Sequence, residues 1–284
     1  MLVAGGVAVA MVLVVALVLV LRDTPGAQLA RAVETTFAEG TAAASVTGTV
    51  RELPFLGDLT LSVADGHLDF DRERASLRRE LPFVSGLDVP GIGAVGDVEL
   101  VYADGSAWLR GPFDTERAWV HVRDGSDEAV TAPGLGNPLA LLALIRAIEG
   151  APEELDDEPV AGIDTTRYRV LVDLDALEGR VAEPSHDLLD NLRRLHEDDR
   201  LPMDVWVDED DLIRRVRYEV DVDLPSLPSF DLGTEVELTD HGVPVAIDPP
   251  DDSEVTDISA DRLREVDPIR ILRDALEQLP FIGD

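Results

Sequence analysis

Hydrophobic and polar positions change their period repeatedly along this chain. From Leu2 to Leu21 there is no period: no charged or strongly polar side chain interrupts the run before Arg22 and Asp23. A helix needs about 20 apolar residues to cross the hydrocarbon core of a bilayer. A secretory signal peptide ordinarily has a basic n-region, a shorter apolar core and a small-residue cleavage site. Here no Lys or Arg precedes the run, and Gly26-Ala27-Gln28 is a poor A-x-A. Residues 1–22 therefore predict an uncleaved transmembrane helix, with residues 23–258 as a domain held at a membrane and 259–284 as a helical tail.

Past Asp23 the period becomes helical. Pro25 suits a first turn, Leu29, Val33 and Phe37 recur every four residues, and Gly40 is a stop signal. From Ser45 the period is two. Leu59, Leu61 and Val63 alternate with polar neighbours, and Asp65-Gly66 predicts a turn into Leu68 and Phe70. Val98, Leu100 and Tyr102 repeat the pattern, with a second Asp-Gly turn at Asp104-Gly105 leading to Trp108. Further strands are predicted at Ala118–Val122, Thr166–Leu174, Met203–Val207, Leu212–Val222 and Thr234–Thr239. In the longest, Val216, Tyr218, Val220 and Val222 share one side and Arg215, Arg217, Glu219 and Asp221 the other. Consecutive strands with short turns predict a curved antiparallel sheet with one wet face, in the α+β class.

Helices interrupt that meander. Asn137 is a candidate cap, Pro138 suits a first position, and Gly150 closes the segment. Between them Leu139, Leu141, Leu142, Leu144, Ile145 and Ile148 wrap almost the whole circumference. Such a helix must be covered on both sides. Ser185 precedes another, with Leu188, Leu189, Leu192 and Leu195 on one face. The acidic stretch Ala151–Pro159 predicts a solvated linker. Asp267-Pro268 opens an amphipathic tail helix with Ile269, Leu272, Leu276 and Leu279 in register.

Charge sharpens the picture. The chain carries 24 basic and 58 acidic residues, a formal net charge of -34, and every basic residue is Arg. Such a chain repels phosphate backbones and anionic headgroups, which argues against nucleic-acid binding and docking through a basic patch. The acid predicts a solvated surface suited to high salt, as in halophilic proteins. Cys is absent, so disulfides, thiolate metal sites, Cys nucleophiles and a lipid-modified N-terminal Cys are excluded.

Chemical motifs are weak. Gly91, Gly93 and Gly96 spell G-x-G-x-x-G, but Pro90 precedes them and a strand, not a helix, follows, so a nucleotide site is not expected. Asp156-Asp157-Glu158, Asp198-Asp199 and Asp208-Glu209-Asp210-Asp211 lack the alternating ligands and central Gly of a calcium loop. Asp208–Asp211 reads as a solvated hairpin turn. His67, His121, His186, His196 and His241 show no ligand spacing, and no Ser sits in G-x-S-x-G. No catalytic residue, metal site or cofactor is expected. What remains is apolar: a sheet with helices on its concave side has room for a lipid-sized cavity.

Four blocks carry a family resemblance. They are Tyr102–Leu109 (YADGSAWL), Gly162–Tyr168 (GIDTTRY) running to Val172-Asp173-Leu174, Leu201–Asp208 (LPMDVWVD) with Leu212–Arg215, and Glu235–Val245 running to Pro249-Pro250. Together they resemble the LppX/LprG-type lipoproteins, over roughly Phe37 to Ile258. The resemblance implies a LolA-like fold: a half-open antiparallel barrel with helices closing its mouth. It also implies a non-catalytic, extracytoplasmic protein that holds a lipid or acylated glycolipid in an apolar cavity. On that basis the expected cavity-lining residues are Phe37, Trp108, Trp119, Leu139, Leu142, Ile145, Leu188, Leu192 and Trp206. Those lipoproteins have a lipobox ending in Cys, which this chain lacks; the Leu2–Leu21 helix would replace the acyl anchor. The alternative is a sensor or adaptor of the same fold that binds an envelope protein.

Overall fold

The computed structural model describes residues 24–53, 57–80, 82, 88–89, 93–94, 97–111, 117–123, 138–147, 151–177, 188–190, 192–193, 196, 198, 200–222 and 230–259. The expected transmembrane helix and the C-terminal tail helix lie outside these residues. Among the described residues no helix is long and apolar enough to cross a membrane.

The chain opens with α1 (Pro25–Ala38), capped by Thr24, whose hydroxyl accepts from the Ala27 N–H at 3.3 Å. Strands follow as β1 (Thr41–Leu53), β2 (Gly57–Asp69), β3 (Arg74–Glu80), β4 (Asp88–Val89), β5 (Gly93–Ala94), β6 (Val98–Ala103), β7 (Ser106–Arg110) and β8 (Trp119–Arg123). Then come α2 (Pro138–Ala147), β9 (Glu153–Glu154), β10 (Thr165–Asp173), β11 (Arg200–Asp208), β12 (Ile213–Val222), β13 (Phe230–Thr239) and β14 (Val255–Ser259).

Twelve of the described strands form one open sheet in the order β14-β8-β7-β6-β3-β2-β1-β13-β12-β11-β10-β9, and β4 pairs with β5. These pairings are antiparallel except that β14 runs parallel to β8. The meander is closed in the middle by a long-range pair. β13 lies between β1 and β12, with Val46 opposite Val236 and Val236 opposite Val216. Register shifts in β1–β2 and at Trp206/Val207 introduce the local bends of a curved sheet.

Three expectations change. Asp65-Gly66 is no turn: β2 runs straight through it and the chain reverses after Asp69. Gly66 serves close approach, since a Cβ there would lie 1.9 Å from the Ser76 carbonyl oxygen on β3. The true two-residue turn is Asp104-Gly105, with φ of 52° and 74°, as Asp-Gly predicts. The acidic stretch 151–159 is solvated but no free linker. It zips along the outer edge of β10, with Leu155 N–H donating to the Arg167 carbonyl at 2.7 Å and Glu158 N–H to that of Thr165 at 3.1 Å. In the Asp208–Asp211 turn, Asp208 is buried and accepts from the backbone N–H of Asp210 and Leu212 and from Arg214 Nε at 2.6 Å.

The two faces separate cleanly. One carries α1, α2 and the 188–193 segment, and these join the sheet in a single apolar core with Val46, Val216, Leu77 and Leu100. The other face is a charge ladder. Along one cross-strand row Arg167, Trp206, Arg215, Glu237, Ser45, Asp65, Arg78, Glu99 and Arg110 succeed one another, so arginines meet carboxylates on adjacent strands.

Candidate functional site

The inner face is built rung by rung from strand alternation. One rung runs Tyr168, Val205, Val216, Val236, Val46, Ala64, Arg79 and Val98. A neighbouring rung carries Leu238, Ala44, Gly66, Leu77, Leu100, Leu109 and Val120. Apart from Tyr168 and Arg79 these residues are apolar, since alternate residues of each strand reach the same dry layer.

Helices cover them. α1 buries Leu29, Ala32, Val33 and Thr36. The Thr36 hydroxyl accepts the Ile213 N–H at 2.9 Å, and Gln28 Oε1 accepts the Tyr168 hydroxyl at 2.8 Å, so α1 is pinned above β10 and β12. α2 buries Pro138, Ala140, Leu141, Leu142, Leu144 and Ile145, and half-buries Leu139 and Ala143 on its remaining side. From Pro138 to Ile145 every side chain of α2 is apolar, so this stretch is held in the layer by apolar contact.

Six of the nine expected lining residues gather here. Leu142, Ile145, Leu188 and Leu192 lie in the inner core, and half-buried Phe37 and Leu139 pack against it, Phe37 stacking at a tilt on Phe70 with centroids 5.1 Å apart. Leu142 is 0% exposed, so no water-sized void touches it. In this closed arrangement its surroundings are filled.

The three tryptophans do not belong to that set. Trp206 pairs laterally with Arg167 and Arg215, while its neighbours Val205 and Val207 point inward. Strand alternation therefore turns the indole outward. It is covered there by charge: the Arg167 and Arg215 guanidinium groups stand 5.1 and 5.3 Å from the ring, and Nε1 donates to Glu158 at 3.3 Å. Trp108 and Trp119 likewise face out. They pack with Val101, Val245, Ile247 and Val255 in a separate cluster under the 243–255 segment. Arg110 lies 4.9 Å from the Trp119 ring centroid, and Arg74 fastens that segment by donating to the Ile247 carbonyl at 2.9 Å.

The polar members of the inner layer are few and specific. Tyr218 and Thr234 are cross-strand partners; burial pushes the Tyr218 phenol up to about 12 against a hydrogen bond with Thr234. Burial likewise raises the Tyr168 phenol, with Glu154 adding to it. Ser62 is buried on β2 beside the Ala64 rung. Arg79 is the outstanding one. It is 5% exposed, it faces inward opposite Ala64 and Val98, and burial holds its guanidinium below the ordinary value while Tyr102 pulls it up. Its signal was present in the sequence: Ala75 and Leu77 set an inward parity that Arg79 continues, whereas Arg78 faces out to Asp97 at 2.6 Å. Among the described residues no group of three or more His, Asp or Glu side chains is placed to hold a metal ion.

Among solved structures, the chain is similar to the lipoprotein LppX of Mycobacterium tuberculosis, with a TM-score of 0.45 and 15% identity over 79% of this chain and 100% of that one. It is also similar to LprF of Mycobacterium bovis, with a TM-score of 0.43 and 18% identity over 80% of this chain and 98% of that one. LppX is a lipoprotein of the type that the four sequence blocks resemble. No protein-family model and no curated protein matches the chain.

Proposed function

We propose that this protein is a non-catalytic lipid binder of the cell envelope, tethered by its apolar N-terminal segment, which admits acyl chains between the sheet and the helices of its half-barrel mouth. The observation that carries this reading is α2, none of whose side chains from Pro138 to Ile145 is exposed. A core helix that only completes a fold ordinarily keeps a wet face. One whose side chains from Pro138 to Ile145 are all apolar can shift within an apolar layer, and an acyl chain can take over contacts it gives up. The filled surroundings of Leu142 mean that uptake requires this displacement rather than entry into a standing void.

The same filling favours a second reading, an adaptor whose closed core never opens and whose surface binds an envelope protein. The two readings part on uptake. With a fluorescent diacyl lipid held self-quenched in vesicles, addition of the full chain should relieve quenching in proportion to chain concentration. Fluorescence that stays quenched at every concentration contradicts the lipid reading and leaves the adaptor.

A further inference from the structure

We propose that the domain meets the bilayer end-on, with the apolar connections at one end of its sheet inserted into the headgroup boundary of the membrane that holds the N-terminal segment. The inference rests on the tether in the reading above and adds which surface of the domain docks, and on what.

Its first ground is the strand order. At one end of the sheet lie Leu53 and Gly57, Glu80 and Val98, and Val222 and Phe230. They end six strands that are neighbours in the order β6-β3-β2-β1-β13-β12. The chain joins these ends through residues 54–56, 81–97 and 223–229. Before Asp97, which pairs with Arg78, these connections hold two charged residues, Asp88 and Asp223, and no arginine. The chain as a whole is 29% charged. Phe55, Leu56, Phe83, Ile92, Leu224 and Leu227 stand there instead. The connections that flank them at this end, 111–118 and 174–199, carry charges of both signs. The turns at the opposite end are the reverse, holding Asp71-Arg72-Glu73, Asp104, Glu209-Asp210-Asp211 and Asp240. Toward the apolar end the outer face also carries Leu171, at 58% the most exposed large hydrophobic among the described residues, beside exposed Pro202. Ile163 and Val243 stand singly near the charged turns. A contiguous apolar surface rimmed by charge marks a contact with a membrane or a protein, whereas single exposed residues mark nothing.

The second ground, which selects the membrane, is the direction of the tether. α1 lies along the strands, with Thr36 bonded to Ile213 near the charged end and Gln28 bonded to Tyr168, further along β10. Its first residue, Pro25, therefore stands toward the apolar end, about 5 Å beyond Gln28. From Pro25 back to Leu21 the chain spans at most about 14 Å. From Val46, level with Tyr168, β1 continues to Leu53, about 23 Å at the rise of a strand. Even a fully extended link ends short of the strand tips, so a bilayer entered at Leu21 overlaps the apolar connections. A net charge of -34 offers no electrostatic anchor, so the contact is apolar and anionic lipid opposes it. Salt screens that repulsion and should favour contact, the reverse of a basic surface patch.

The chain has no Cys, so a single introduced cysteine takes a nitrobenzoxadiazole label at one known place. Phe55→Cys and Leu227→Cys put the label in the apolar connections, and Glu209→Cys puts it on an exposed position at the charged end. Each labelled full chain is reconstituted in phosphatidylcholine vesicles, recovered by flotation, and read with and without phosphatidylcholine bearing a nitroxide on its acyl chain. The labels in Phe55→Cys and Leu227→Cys should shift to the blue and lose most of their emission to the nitroxide, and the label in Glu209→Cys should do neither. Replacing part of the phosphatidylcholine with phosphatidylglycerol should reduce that loss at low salt, and monovalent salt should restore it. Far-ultraviolet circular dichroism checks that the variants fold, and either apolar position decides if the other does not fold. Floated chains whose labels stay unquenched and unshifted, or are quenched alike at all three positions, overturn end-on docking and leave the tether and lipid binding standing. A blue shift without quenching marks cover by protein, a second copy included, and overturns the bilayer as occupant. A chain that fails to float with the vesicles overturns the tether, and this inference with it.

Discussion

At the scale of single residues, two positions carry consequences that solution measurements can read. His241 Nδ1 lies 3.2 Å from Arg214 NH1. Burial lowers its pKa first and Arg214 second, while Asp208, the Ile213 backbone and Glu39 pull it up less. The folded protein therefore takes up this proton less readily than the unfolded chain, whose ordinary value is 6.5. Stability should fall as pH drops through 6.5 towards the lowered folded value, and change no further below it on this account. His241→Gln keeps an acceptor for Arg214 but binds no proton. Urea midpoints should accordingly fall less between pH 7.5 and pH 5.5 in the variant than in wild type; equal falls contradict the assignment. The second position is Ala161, which sits at φ 50° before Gly162 at φ 83°, between the bridged residues Val160 and Ile163. Two positive φ values in succession favour Asn-Gly. Ala161→Asn should stabilise by up to about 1 kcal/mol in chemical denaturation, and a loss would mean that the turn is held by something other than its backbone. Residues were also where reading from sequence went furthest astray. Asp65-Gly66 looks like a turn because the signal is local, whereas the need for a bare Cα opposite Ser76 comes from a strand paired across the sheet.

At the scale of elements, alternation was legible wherever a strand is long and one-sided. β12 shows it best, with Val216, Tyr218 and Val220 buried and Arg215, Arg217 and Glu219 facing the charged side. The placement of β13 between β1 and β12 was not legible, because nothing in a strand's own pattern names a partner nearly two hundred residues away. The tryptophans were misplaced for a related reason. Both faces of these strands bury large side chains, one under helices and the other under arginines and the 243–255 segment, so size did not reveal the side. α2 was legible as a helix needing cover on both sides, and its described side chains are buried or, at Leu139 and Ala143, half-buried. Because Leu142 meets no void, Leu142→Ala should cost roughly 2–5 kcal/mol. Leu142→Trp should overpack and cost about 1–3 kcal/mol in the lipid-free chain. A tryptophan variant with an unchanged melting temperature would show that a standing cavity lies beside α2 after all.

At the scale of the whole molecule, the charge is arranged as well as large. Arginines are placed in cross-strand ladders on the outer face, such as Arg215 with Glu237 at 2.5 Å and Arg78 with Asp97 at 2.6 Å. Exposed pairs of this kind contribute roughly 0.2–1 kcal/mol each and weaken with salt. The 58 acidic residues far outnumber the 24 basic ones, however, so mutual repulsion of the excess outweighs the attraction within the ladders. Melting temperature should rise as monovalent salt is added from about 0.01 M, where the Debye length is about 30 Å. A flat or falling curve would mean that the ladders, not the excess, dominate. If the layer between sheet and helices takes up a lipid, native mass spectrometry of the full chain isolated from its own membranes detects it. A fraction of molecules should carry a lipid-sized mass increment that organic extraction removes and incubation with vesicles restores. Only the bare polypeptide mass, before and after incubation, would contradict it.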